Sequence, residues 1–169
     1  MDVLLSIKPK YAKLIFSGKK RFEFRKIIFT NRSVSEVYVY VTSPEKRIVG
    51  KFTIAGILFD SPNNIWKQTR KYAGITKKDY DEYFAGSKIA YAIEIKEMTL
   101  FSEPIDPLEY DDNFRAPQSF IYLDRKKTQQ LISNIEMKSE DVKNANQIGK
   151  NNSNSGSLWS YIEKTEPNN

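Results

Sequence analysis

Gly18-Lys19-Lys20-Arg21-Phe22-Glu23-Phe24-Arg25 packs four cations, one carboxylate and two aromatic rings into eight residues. Successive side chains on a strand point to opposite faces. A strand here therefore sends Phe22 and Phe24 one way and Glu23 and Arg25 the other. The first face can join a core, while the second presents a fixed carboxylate and a fixed guanidinium. Lys20 stands just ahead, where the chain leaves a glycine turn. A Lys, a Glu and an Arg held near each other suit a polar ligand with donor and acceptor edges, such as a nucleobase with its phosphate. Lys19 and Arg21 read as solvated surface charge.

Upstream of this stretch, residues 3–7 read as a first strand. Pro9 suits the first turn of a helix whose buried stripe is Tyr11, Leu14 and Ile15, and Gly18 ends it. Downstream, residues 36–41 form a strand that is apolar on both faces, which places it inside a sheet with Tyr38 and Tyr40 turned toward a cleft. Residues 47–59 are too many for a straight strand, and Gly50 and Gly56 mark bulges or bends of the kind a closed barrel needs. Asp60-Ser61-Pro62 caps a helix carrying Ile65, Trp66 and Thr69. Thr76-Lys77-Lys78-Asp79 has the form of a capping box and starts a helix with Tyr80, Tyr83 and Phe84 on its buried side. Residues 89–96 and 98–101 read as two further strands. Short, bent strands around a few helices indicate an α+β fold, a small, partly closed β-barrel with flanking helices.

From Asp124 the texture changes. Residues 125–137 have helical periodicity. Residues 138–157 are rich in Asn, Ser, Lys and Gly without periodicity and read as a linker. Leu158-Trp159-Ser160-Tyr161-Ile162 is a small apolar patch able to dock back or to meet a protein partner. The expected division is a domain over 1–123 and a tail over 124–169.

The chain has 169 residues, enough for one domain, and 10 Phe, 10 Tyr and 2 Trp supply a core. It has no Cys and no His. Disulfides, thiolate chemistry and imidazole acid/base or metal chemistry are thereby excluded, and any catalysis rests on Lys, Tyr, Ser/Thr and carboxylates. No metal site and no cofactor are expected. Glu109, Asp111 and Asp112 are the one acidic cluster, with a spacing that matches no metal loop. No apolar run reaches membrane-spanning length and no signal segment is evident, so the sequence reads as cytoplasmic. The net charge is +6, but residues 1–51 hold 12 Lys/Arg against 4 Asp/Glu and the remainder 15 against 17. The basic first third points to an anionic partner at one surface.

Gly18-x-Lys20-x-x-Glu23-x-Arg25, following a short helix that follows the first strand, resembles the signature of the ASCH family in the PUA-like superfamily. Leu5-Ser6-Ile7-Lys8-Pro9-x-Tyr11-Ala12 leads into it, and Tyr91-Ala92-Ile93-Glu94-Ile95 and Pro117-Gln118-Ser119-Phe120-x-Tyr122-Leu123 extend the likeness over about residues 1–123. The resemblance implies a pseudo-barrel with a cleft beside the first helix. It also implies RNA, a nucleoside or a nucleotide-like ligand, and a role in transcription or translation control. Some ASCH proteins are amidohydrolases of acetylated cytidine and others are nucleases. The amidohydrolases carry a Thr nucleophile where this chain has Glu23, and their acidic residue on the later helix has no counterpart near Lys71 or Tyr72. That chemistry is thus unsupported here.

Lys20, Glu23 and Arg25 are the expected ligand residues: Arg25 as a bidentate phosphate or carbonyl binder, Glu23 as acceptor from an exocyclic amine, Lys20 on phosphate. Lys20 and Glu23 are also the candidate catalytic pair. Ser6 and Lys8, entering the first helix, make a candidate anion site. Tyr40 and Phe120 are candidates to stack a base, and Gln118 and Ser119 to read its edge. The function expected is RNA or nucleotide binding in a basic cleft. The alternatives are a hydrolase of a modified nucleoside or RNA, and a protein-interaction module using the tail.

Overall fold

The structure is a computed structural model and describes residues 1–109, 111–124, 126, 128–130 and 132–133. The order of elements is β1 (Asp2–Ile7), α1 (Pro9–Phe16), β2 (Phe22–Arg25), β3 (Glu36–Val41), β4 (Arg47–Asp60), α2 (Pro62–Thr69), α3 (Lys77–Phe84), β5 (Ala90–Ile105) and β6 (Phe120–Leu123). Short 3₁₀ turns lie at Arg70–Tyr72 and Pro107–Glu109. The strands form one mixed sheet in the order β2-β5-β4-β3-β1-β6. Only β1 and β3 pair in parallel, from Val3 opposite Val37 to Ile7 opposite Val41.

β4 and β5, at 14 and 16 residues, curve the sheet. Their ladder shifts register between Ile48 and Gly50, between Phe52 and Ile54, and between Ile54 and Gly56. Bulges of this kind bend and twist a ribbon. The lower part of β4 therefore pairs with β3 while the first part of β5 carries β2. The bends expected at Gly50 and Gly56 fall at these shifts. β5, however, is one strand rather than the two expected. The polar Lys96-Glu97 step lies on its exposed outer bend, where Glu97 N–H donates to Thr53 Oγ1 at 3.2 Å. The result is an α+β half-barrel with flanking helices.

Alternation along the strands separates three apolar clusters. Val3, Leu5, Ile7, Val37, Val39, Val41 and Ile93 fill the barrel interior with Ala12 and Ile15 of α1. Leu4, Tyr38, Tyr40, Ile48, Phe101 and Ile105 pack on the reverse face. Phe22, Phe24, Ala90 and Ala92 are covered by Ile65 of α2 and by Tyr80 and Phe84 of α3. The two tyrosines of β3 thus face a second core layer rather than a cleft. α2 and α3 start where their caps dictate. Ser61 Oγ accepts from Asn64 N–H at 3.4 Å, and Thr76 Oγ1 accepts from Asp79 N–H at 3.1 Å.

The helix expected over 125–137 lies only in part among the described residues, of which 126, 128–130 and 132–133 are helical. The linker at 138–157 and the apolar patch at 158–162 lie outside them. Among the described residues, no helix is long and apolar enough to cross a membrane.

A Cβ on Gly50 would lie 2.4 Å from Thr99 O and 2.7 Å from the Phe16 ring, so α1 and the β4–β5 ribbon meet at this glycine. Gly50→Ala is expected to destabilise the fold by about 1–3 kcal/mol through overpacking. The measurement is the urea unfolding midpoint. An unchanged midpoint would show that the ribbon and α1 do not close on Gly50.

Candidate functional site

β2 and β6 are the two edges of the open sheet. Arg25, at the end of β2, spans the gap between them. Its Nη2 donates to Ser6 O at 3.0 Å and to Ser119 O at 2.8 Å. Ser6 lies near the end of β1, and Ser119 directly precedes β6. Ser6 N–H also donates to Ser119 O at 3.0 Å, and Ser6 Oγ to Pro117 O at 2.7 Å. One guanidinium therefore clasps the barrel on its open side.

Lys20 is placed by the turn after α1, where its N–H donates to Leu14 O at 2.9 Å. Its side chain is only 2% exposed, and Nζ donates to Ala73 O at 2.8 Å. Nζ also lies 4.5 Å from the Phe24 ring centroid and 5.2 Å from that of Tyr11. Gly74 makes the room: it has φ 60°, and a Cβ there would stand 2.5 Å from Lys20 Cβ. Both the backbone angle and the contact require glycine.

Glu23, also buried, stands between the two cations, with Oε2 3.8 Å from Lys20 Nζ and Oε1 3.7 Å from Arg25 Nη1. These separations allow attraction but exceed hydrogen-bond length. The three charges are gathered without being locked to one another. Burial pulls the Lys20 pKa down to about 8; the Arg25 charge adds to this and Glu23 opposes it.

The trio opens into a cleft of about 780 Å³, a size suited to a small ligand. Lys8, Lys10, Lys20, Arg25 and Lys26 line it against Glu23, Asp79 and Glu82, leaving the cleft net positive. Ser6, Gln118 and Ser119 also line it. Seven of the nine expected ligand residues thus line the cleft, but not equivalently: Lys8 is exposed at the rim, whereas Ser6 is buried with its hydroxyl engaged on Pro117. Tyr40 and Phe120 do not line the cleft. Tyr40 packs on Phe114 at 5.4 Å on the reverse face, and Phe120 packs on Phe29 at 5.8 Å against the interior core. Arg25 also departs from the bidentate role expected. Both Nη2 hydrogens serve carbonyls, which leaves Nη1, beside Glu23, and the buried, unpartnered Nε–H as its remaining donors.

Sequence reasoning missed the far wall. Asp79, Glu82 and Tyr83 of α3 line the cleft, and Tyr83 is exposed rather than part of the helix's buried side. Their spacing at i, i+3 and i+4 is itself a helical face, polar where the Tyr80–Phe84 face is apolar. Lys10 of α1 bridges to Asp79 at 3.4 Å across the mouth. Tyr11, assigned to the buried stripe of α1, turns its ring toward Lys20 and the cleft.

Lys20 can act here as a cation with two N–H groups left for a ligand, or as a base once deprotonated. Its lowered pKa also sets a stability profile. Between pH 8 and 10.5 the unfolded chain binds more protons at Lys20 than the folded chain does, so stability rises with pH across that window. The gain is about 3 kcal/mol at most. Urea unfolding of the wild type and Lys20→Met at pH 7 and pH 10 is expected to show this rise in the wild type alone. Parallel profiles would contradict the buried charged lysine.

Comparison with known proteins agrees with this geometry. The ASCH domain model matches residues 5–99. The chain is 30% identical over 138 residues to an ASCH domain-containing ribonuclease of Zymomonas mobilis, covering 78% of this chain and 90% of that protein. It is 34% identical over 122 residues to the large ribosomal subunit protein uL22 of Ureaplasma parvum, but spans only 39% of that protein. The crystal structure of ASCH from Zymomonas mobilis matches with a TM-score of 0.73 at 30% identity, over 78% of this chain and 94% of that one. The N-terminal domain of Staphylothermus marinus McrB shares the fold at 14% identity and a TM-score of 0.55. The half-barrel fold and these matches together show that the chain belongs to the ASCH domain family.

Proposed function

We propose that this domain binds RNA in the cleft between β2, α1 and α3, with one nucleotide held over Lys20 and Glu23. The observation that carries the reading is the trio itself. Three buried charges, none hydrogen-bonded to another, line a net-positive cleft of nucleotide size. Buried charges left this open are costly to a fold, which argues for a ligand that completes them. Glu23 suits an exocyclic amine, and Lys20 and Lys8 suit phosphate oxygens. Gln118, at the rim, has a side-chain amide able to read a base edge. The similarity to a protein named as a ribonuclease supports RNA over other anions. A cytoplasmic location and a regulatory role belong to the same proposal.

Titration with labelled single-stranded RNA tests it. Wild-type affinity is expected to fall as pH rises through about 8, where Lys20 loses its charge. Lys20→Met is expected to bind at least about tenfold more weakly at pH 7 and to lose that pH dependence. Equal binding by the variant would remove the cleft from RNA recognition.

A second reading, RNA cleavage, is favoured by the same ribonuclease likeness together with the lowered Lys20 pKa. Neutral Lys20 would take the proton of a 2′-hydroxyl, and the 2′-oxygen would attack the adjacent phosphorus. The 5′-oxygen would leave with the proton that Lys20 had taken, giving a 2′,3′-cyclic phosphate and a free 5′-hydroxyl. Product on a sequencing gel is expected to appear faster as pH approaches 8. No product above a Lys20→Met control would leave binding alone.

A further inference from the structure

Arg21 and Lys19 of the opening octapeptide do not enter the cleft, yet the structure gives their surroundings an unusual composition. Residues 8–22 contain six Lys/Arg and no Asp or Glu, and residues 61–78 contain five Lys/Arg and no Asp or Glu. The fold stitches these two segments together. Arg21 N–H donates to Tyr72 O at 2.9 Å, and Lys20 Nζ donates to Ala73 O at 2.8 Å. Lys20 and Ala73 face inward, and Arg21 and Tyr72 face solvent. The outer strip is therefore the reverse side of the backbone that floors the cleft.

On that strip Tyr72 is 37% exposed, with the Arg21 guanidinium 4.7 Å and Lys71 Nζ 5.2 Å from its ring centroid. Lys19, Lys67 and Arg70, in the same two segments, are also exposed. Two other cations of these segments are paired: Lys10 with Asp79 and Lys77 with Asp81. Among the described residues, Lys19, Arg21, Lys67, Arg70 and Lys71 make no ion pair. An ordinary solvated surface mixes both signs of charge. This one carries a single sign, and it orders two of its cations on an aromatic ring.

We propose that the strip formed by Lys19, Arg21, Lys67, Arg70, Lys71 and Tyr72 holds the phosphodiester backbone of single-stranded RNA as it leaves the cleft. The ligand of the cleft is then a nucleotide within an RNA chain, not a free nucleoside. Cations track the phosphates, and the exposed part of the Tyr72 ring offers a base an aromatic contact. The proposal rests on the RNA reading of the cleft and names its substrate class.

Fluorescence anisotropy of the full chain with a labelled 12-nucleotide single-stranded RNA, across a salt series, tests it. Arg21→Gln/Arg70→Gln/Lys71→Gln is expected to bind at least about tenfold more weakly at low salt and to flatten the logarithmic salt slope by about 2, near 0.7 for each lost phosphate contact. Arg21→Gln and Lys71→Gln singly are expected to show smaller changes of the same kind, which guards against a misfolded triple variant. Affinity and slope unchanged in all three, with binding weakened by Lys20→Met, would overturn the strip and leave the cleft reading standing. Wild-type protein that binds no RNA would overturn both.

Discussion

The Arg25 guanidinium is the contact on which the rest of the structure depends. A six-stranded sheet that curls without closing leaves two edges, and Arg25 joins them by donating from Nη2 to Ser6 O and Ser119 O. Without that clasp, Ser6 O would lose a donor at the gap, while Ser119 O would retain the Ser6 N–H. The arrangement brings a buried cation into the wall of the cleft, and Glu23 lies close enough to balance it. Lys20 adds a second cation on the other side of the same carboxylate. Buried ion groups of this kind are weak sources of stability, because desolvation offsets their attraction. The Lys20–Glu23 pairing is therefore weak support for the fold, which is part of the case for the proposed ligand.

The division of labour follows from strand alternation. Phe22 and Phe24 anchor β2 against α2 and α3, which fixes the height and tilt of Glu23 and Arg25 on the other face. Gly74 then brings the 3₁₀ segment close enough to receive Lys20. Glu23 is thus placed by its apolar strand neighbours, Lys20 by Gly74 and the Ala73 carbonyl, and Arg25 by two further carbonyls.

Much of this was legible in the sequence. The period of two read Phe22/Phe24 against Glu23/Arg25, Pro9 and Gly18 bounded α1, and Gly50 and Gly56 located the bends of the ribbon. Alternation separates faces but does not say which face meets a cleft. Tyr40 and Phe120 illustrate the gap, since both carry rings suited to stacking and both lie in packed layers. Arg25 was legible as a cation on the polar face of β2, while its carbonyl partners lie 19 and 94 residues away and leave no local pattern. The α3 wall was hidden for another reason: its apolar stripe is the stronger signal, and Tyr83 was absorbed into it. The long β5 read as two strands because the polar step at Lys96-Glu97 resembles a turn when its bend is unseen.

The account turns on Lys20 being a buried ammonium whose charge a ligand can use. The direct measurement is an NMR titration of the Lys20 Nζ resonance in isotopically labelled protein, free and with saturating single-stranded RNA. The account predicts a pKa of about 8 in the free protein and a rise when RNA phosphate approaches. A free-protein value at the ordinary lysine 10.5, unmoved by RNA, would contradict it.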